Sequence, residues 1–213
     1  MKQHLIIELV SAHLKSGVSR EAFLSGIRQS QRALERYPGF RSRVLAHDTD
    51  HQLWFDLVQW ADLLSAEAAA ADFMKDPAAK ALIDSLEETT VTMRHYVRQE
   101  ALSVPTSRNA AGTSAGCVEL LMYRLKPGAN GERYGRAVRD MSEKMQVMPA
   151  FIRREVYIEQ ETGEWLEAIF YQNREAADAM FLEIKDAPCM QQCMELLDEA
   201  SLRMHWASPV EWE

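Results

Sequence analysis

The chain has 213 residues, 47% of them hydrophobic and 26% charged, and a formal charge of −8. That is enough apolar material for one large domain or two small ones, and it argues against global disorder. The acidic balance disfavours nucleic acid and anionic membrane surfaces as partners.

The N-terminal stretch MKQHLIIELVSAH is interrupted by Glu8 and has no cleavage pattern of a signal peptide. No run reaches the roughly 20 apolar residues of a membrane helix. A cytoplasmic location is therefore expected. Three cysteines, Cys117, Cys189 and Cys193, do not describe a disulfide framework.

In chain order, HLIIELVSAHL (4–14) is short and rich in β-formers, which predicts a strand. SGVS (16–19) is a turn, and Ser19 with Glu21 behind it caps a helix that runs on Phe23, Ile27, Ala33 and Leu34 to about Arg36. YPGF (37–40) stops the helix, and RSRVLAH (41–47) begins a second strand. HDTDH makes a hairpin into a third strand, QLWFDLVQW (52–60). Two helical pieces follow at 64–74 and 78–88, broken near Asp76-Pro77. TTVTMRHYV (89–97) is the last strand of the series.

The series is then written again. CVELLMYRL (117–125), ERYGRAVRDMSEKM (132–145), FIRREVYIE (151–159) and EWLEAIFY (164–171) repeat it. Helical AADAMFLEI (176–184) and MQQCMELLDEA (190–200) and the strand SLRMHWA (201–207) complete it. The spacing from Glu8 to Glu119 also separates Gly17 from Gly128, Arg28 from Arg139, Phe40 from Phe151, Trp54 from Trp165 and Met93 from Met204. Leu14, Lys15, Glu21 and Pro38 recur at the same offset, which is the repeat length. The identities lapse over 61–76 and 172–187, where small insertions are expected. Between the copies, QEALSVPTSRNAAGTSAG has no apolar period and reads as a linker. The expected domains are residues 1–98, a linker at 99–115, and residues 116–213.

The order β-α-β-β-α-β predicts a ferredoxin-like unit, with both helical layers on one face of a four-stranded antiparallel sheet. Yet both faces of the first strand are apolar: Ile6, Val10, Ala12 and Leu14 take one phase, Leu5, Ile7 and Leu9 the other. The third strand behaves alike. A sheet with one solvated face would alternate cleanly. The second face needs a cover, and the sheet of the other repeat is the obvious one. The expected fold class is thus α+β: two fused ferredoxin-like repeats whose antiparallel sheets pack into an intramolecular α/β barrel. The chain would be a monomeric pseudo-dimer, open to further oligomerisation.

The turns RLKPG (124–128) and HLKSG (13–17), the motifs PGF (38–40) and PAF (149–151), and an aromatic strand end before an Ala-rich helix (VQWADLLSAEAAAADF, FYQNREAADAMF) carry a resemblance. In these the sequence resembles the dimeric α/β-barrel superfamily, specifically its antibiotic-biosynthesis-monooxygenase-like branch, over both halves. The resemblance implies a small organic ligand, often aromatic, held between sheet and helices, and in some members oxidation by oxygen with no metal or flavin. It also extends to haem-degrading relatives, whose iron ligand is a His in the second helix of the unit. None of the six His lies in 62–92 or 173–203, so that branch is disfavoured. No cofactor and no metal are expected.

Glu8 and Glu119 sit inside apolar strands that should be central. A buried carboxylate needs a partner or a raised pKa. It could serve as a general base, or as half of a structural ion pair with an Arg. Trp54, Asp56 and Trp60, with Trp165, Glu167 and Tyr171, could hold a flat aromatic ligand between rings with an acid to orient it. They could equally be inter-sheet core. Tyr123 shares the phase of Glu119, whereas Ala12 stands at the matching place in the first copy. Its phenol could donate to a developing oxyanion, or be a core Tyr. Cys189 and Cys193, at i and i+4 on a helix, could hold a soft metal, but they lack the spacing and the His of a zinc site and read as buried small hydrophobes. His47 and His51, with Asp48 and Asp50, could trap a metal adventitiously but read more readily as solvated turn residues.

The leading expectation is a cofactor-independent, monooxygenase-like protein acting on a small aromatic or polyketide-like compound. In it Glu119 is the base, Tyr123 the polar anchor, and Trp54 and Trp165 the walls. An isomerase could use the same carboxylate. The alternative is a small-molecule-binding or interaction protein without catalysis. A cavity of roughly 300 Å³ or more with a free carboxylate favours the enzyme, and an Arg on Glu119 favours the other reading.

Overall fold

The computed structural model describes residues 4–106 and 114–212. They divide into two units, 4–97 with 209–212 and 98–106 with 114–208. The first contains β1 (Ile6–Ala12), α1 (Arg20–Leu34), β2 (Phe40–Asp48), β3 (Leu53–Trp60), α2 (Leu63–Phe73), α3 (Pro77–Asp84) and β4 (Thr92–Arg98). The second contains β5 (Cys117–Leu125), α4 (Gly131–Met145), β6 (Phe151–Ile158), β7 (Trp165–Tyr171), α5 (Arg174–Ile184), α6 (Pro188–Leu196) and β8 (Leu197–Pro209). The chain is α+β, and all strand pairs within each unit are antiparallel. Among the described residues no helix is long and apolar enough to cross a membrane.

Each unit places its first strand in the middle. β1 pairs with β3 and β4, and β3 pairs with β2; β5 pairs with β7 and β8, and β7 pairs with β6. Glu8 and Glu119 are therefore on central strands, as expected. The opposite phase, Ile7, Leu9, Phe55 and Leu57, is buried too, which accounts for the two apolar faces.

The helices begin where local chemistry directs. Ser19 accepts from Ala22 N at 3.1 Å, and Glu21 sits in the first turn. Phe23, Ile27, Ser30, Ala33 and Leu34 form the buried face of α1. Burying a side chain such as Phe23 or Ile27 contributes roughly 1.5–3 kcal/mol. Asp76 caps α3 through Ala78 N, and Pro77 takes the first helical position, where its missing N–H is no loss. Gly17 and its counterpart Gly128 both adopt positive φ (85° and 78°) in the turn after the first strand, which a side chain would strain.

Two expectations are corrected. No insertion interrupts the repeat: Arg174 at the start of α5 lies one repeat length after Leu63 at the start of α2, and Pro188 lies the same distance after Pro77. Over that stretch the side chains diverged while the backbone register held, which identity alone could not reveal. The helix expected to reach residue 200 ends at Leu196, because Leu197 pairs with Leu125 and begins β8. Leu14 and Leu86, one repeat earlier, make the same contact as a lone bridge.

Part of the expected linker is built structure. Val104 and Arg154 exchange backbone hydrogen bonds at 2.7 and 3.1 Å, Ser103 Oγ accepts from Val156 N, and Leu102 is buried in the core of the second unit. Residues 107–113 of that linker lie outside the described residues.

Candidate functional site

Each unit has a cavity between its sheet and its helices. The one in the second unit is about 430 Å³ and is the better equipped. Its floor is the cavity-facing phase of β5 and β7: Glu119, Leu121 and Tyr123 beside Glu167, Ile169 and Tyr171. The cover comes from α4, α5 and α6. Six methionines line it, Met141, Met145, Met180, Met190, Met194 and Met204, giving soft, adaptable walls.

Glu119 stands on this floor. Tyr171 Oη donates to its Oε2 at 3.0 Å, and among the described residues no Arg or Lys forms an ion pair with it. Burial pushes its pKa up to about 7, Tyr171 pulls the other way, and Glu167 adds a further upward push. A carboxylate so placed is half ionised near neutrality and able to accept a proton. Trp206 lies opposite Glu119 in the strand register and lines the cavity. Its ring is 6.0 Å from Tyr171 and carries the Arg174 guanidinium at 3.8 Å. Arg174 is itself paired with Asp178.

Glu167 does other work. Arg154 donates to its Oε2 from Nε at 3.0 Å and Nη2 at 2.5 Å, with both side chains almost fully buried. Tyr123 donates to Glu167 Oε1, and the Tyr123 and Tyr134 hydroxyls are hydrogen-bonded to each other. Tyr134 also reaches Oε1 at 3.3 Å. Burial and the adjacent Glu167 carboxylate hold both tyrosines well above their ordinary pKa. Burial opposes the Arg154 charge, but Glu167 more than restores it, so its pKa is raised.

This arrangement changes two of the expected roles. Tyr123 lines the cavity beside the base, but its hydroxyl hydrogen is committed to Glu167, so it is not an available oxyanion donor. Trp165 is not among the cavity-lining residues; it packs edge-on against Tyr134, which is, with ring centroids 5.1 Å apart.

The cavity of the first unit is smaller, about 260 Å³. Glu8, Trp54, Asp56 and Trp60 all line it. Here Glu8 is tied to His95, Oε2 to Nε2 at 3.0 Å. Asp56 takes Arg43 Nε at 2.8 Å and Nη2 at 2.5 Å. Trp54 stacks on His47 at 4.2 Å and leans on Phe23 at 4.6 Å. Of the expected turn residues, Asp50 and His51 lie in the hairpin turn, whereas His47 and the buried Asp48 are the last residues of β2, where His51 holds Asp48 at 2.8 Å.

Arg43, Arg154, Tyr134 and Trp206 belong to these sites without having stood out in the sequence. The signal for the arginines was present, since they stand one repeat length apart in the same strand of the unit. Trp206 occupies the place of His95, and Tyr134 that of Phe23, so offset comparison marks them as differences.

The sequence matches no protein-family model and no curated protein. Solved structures do match. One is a protein named as a putative monooxygenase from Fusobacterium nucleatum: TM-score 0.73, 11% identity, over 99% of this chain and 94% of that one. An anthrone oxidase-like protein matches with TM-score 0.65 and 13% identity over 98% and 92%. Chlorite dismutase from Candidatus Nitrospira defluvii matches with TM-score 0.64 and 8% identity over 100% and 93%. At these identities the likeness is one of fold. The chain shares the fold of these proteins over nearly its whole length, with both β-α-β-β-α-β repeats in one polypeptide.

Proposed function

We propose that the cavity of the second unit is the site of a base-assisted, cofactor-independent oxygenation of a small aromatic or polyketide-like compound. The observation that carries this reading is Glu119, a carboxylate with no ion-paired cation among the described residues, held near pKa 7 at the floor of an apolar cavity of about 430 Å³. Monooxygenase-like and anthrone oxidase-like names among the structural neighbours support the reaction class.

The chemistry follows from the base. Glu119 removes a proton from an activated methylene flanked by aromatic rings. The resulting carbanion passes one electron to dioxygen, and the radical pair combines to a hydroperoxide. Loss of water gives the ketone, so that one methylene and one dioxygen become one carbonyl and one water. The proton held by Glu119 leaves in that water. Tyr171 orients the carboxylate by its hydrogen bond, Trp206 and Phe181 offer ring faces, and Tyr123 forms the wall beside the base.

Oxygen uptake with a hydroxylated anthrone tests this. The wild type should consume oxygen above the buffer rate, and Glu119→Gln should be slower by about 100-fold or more, the usual contribution of a general base. Equal rates would remove Glu119 from the chemistry. Binding of the anthrone without uptake would favour the binding-protein reading, which the paired acids of the first unit also support.

A further inference from the structure

The two cavities differ at one spot in a way that describes a ligand. In both units an Arg on the second strand grips an acid on the third, and the two pairs occupy equivalent positions of the repeat. In the second unit the outward side of that acid is occupied by two phenols from the protein, Tyr123 and Tyr134. In the first unit the corresponding residues are Ala12 and Phe23, which have no hydroxyl, and both line the cavity. The strand register is the same: Ala12 lies opposite Trp54 as Tyr123 lies opposite Trp165.

Asp56 is consequently left with unused acceptor capacity facing open space. Its donors are Arg43 Nε and Nη2, and among the described residues no other side chain donates to it. Its side chain remains 18% accessible, whereas that of Glu167 is 3%. Each Asp56 oxygen takes one Arg43 N–H, so each keeps an acceptor position on the cavity side, and a neutral hydroxyl is its natural complement. Arg43 already balances the charge of Asp56, so a second buried cation would be left without a counter-charge. The space beside Asp56 is walled by Trp54, Trp60 and Phe23, which suits a flat ring.

We infer that the cavity of the first unit is a second, separate binding site for a phenol-bearing aromatic molecule, whose hydroxyl donates to Asp56 in the position that Tyr123 and Tyr134 fill in the second unit. Glu8 is engaged by His95 there, so the site binds without the unpaired carboxylate that the proposed chemistry needs. The chain thus presents one site that has its phenols built in and another that takes a phenol from its ligand.

Calorimetric titration of the whole chain with 2-naphthol and with 2-methoxynaphthalene tests this. The two share a ring, but only the first donates a hydrogen bond. The wild type should take up one more 2-naphthol than Ala12→Tyr, which rebuilds the arrangement of the second unit. Phe23→Tyr, nearly isosteric and safe for folding, should weaken that binding event at least fivefold by offering Asp56 a hydroxyl of its own. The ether should bind the same site about tenfold more weakly than the phenol, the scale of one hydrogen bond to a charged acceptor. If both variants bind 2-naphthol as the wild type does, or if the ether binds as well as the phenol, the inference is overturned. 2-Naphthol has no activated methylene, so this count is independent of whether the second unit oxidises anything.

Discussion

Arg154 and Glu167 form a two-pronged ion pair inside the second unit, with Nη2 to Oε2 at 2.5 Å and side chains 1% and 3% accessible. Removing one member of such a pair strands the other charge, which costs about 3–5 kcal/mol. Glu167→Gln should therefore lower urea-unfolding stability by that amount. Asp56→Asn should lose less, about 1–3 kcal/mol, because its cavity side is open and water can relax the remaining Arg43 charge. Equal losses would show that the two tyrosines bonded to Glu167 are irrelevant to the pair.

Tyr171 tunes the base. Its hydroxyl donates to Glu119 and so favours the charged form, against the burial that raises the pKa to about 7. With Tyr171→Phe the carboxyl should ionise at higher pH. In the pH profile of kcat/KM for oxygen uptake, the rising limb near 7 should move upward, with the maximum rate changed far less than by Glu119→Gln. A limb that stays in place would assign it to another group.

Glu119 also lowers stability. Its pKa is raised from about 4.5 to about 7 on folding, so between those values the native state binds more protons than the unfolded state. Stability then falls as pH rises through that window and stays lowered above it, by on the order of 3 kcal/mol. Glu119→Gln removes the ionisable group. Thermal denaturation should find the variant near wild type at pH 4.5 and more stable at pH 8. A variant less stable at pH 8 would mean that Glu119 is satisfied by its surroundings and is not a strained base.

How much of this could be read in the sequence depended on distance along the chain. The Ser19 cap, the Pro77 helix start and the central position of Glu8 and Glu119 are local or follow from strand order. Asp56 and Glu167 were legible as acids on the cavity-facing phase, but their partners were not. Arg43 sits opposite Val58, and Asp56 opposite Leu45, so the pair is diagonal across two strands. A slip of one residue would separate them, and that register is set by the hairpin turn together with the apolar pattern, not by the two residues themselves. Trp165 failed as a wall for a related reason. It packs against Tyr134 on α4, a helix whose packing against the sheet the strand pattern does not contain.

The cysteines offer a check on how tightly the second unit is closed. Burial pushes the Cys193 thiol up to about 12 and the Cys117 thiol up to about 11, with the carboxylates Glu167 and Glu119 adding to the respective shifts. Cys189 is buried as well. The thiolate is the reactive species, and at pH 8 these values leave it at roughly one part in 1,000 or less. Alkylation of Cys193 and Cys117 by iodoacetamide should be at least about 100-fold slower in the native protein than in urea. Cys193 lines the cavity, so it should be labelled ahead of Cys117 in the native state if ligand-sized molecules enter there. Cys117, outside that lining, should trail it despite its lower pKa. Mass spectrometry of partially labelled native protein reads the order directly. If Cys117 is labelled first, access through the cavity is not what governs reactivity, and the path to Glu119 is narrower than the cavity itself.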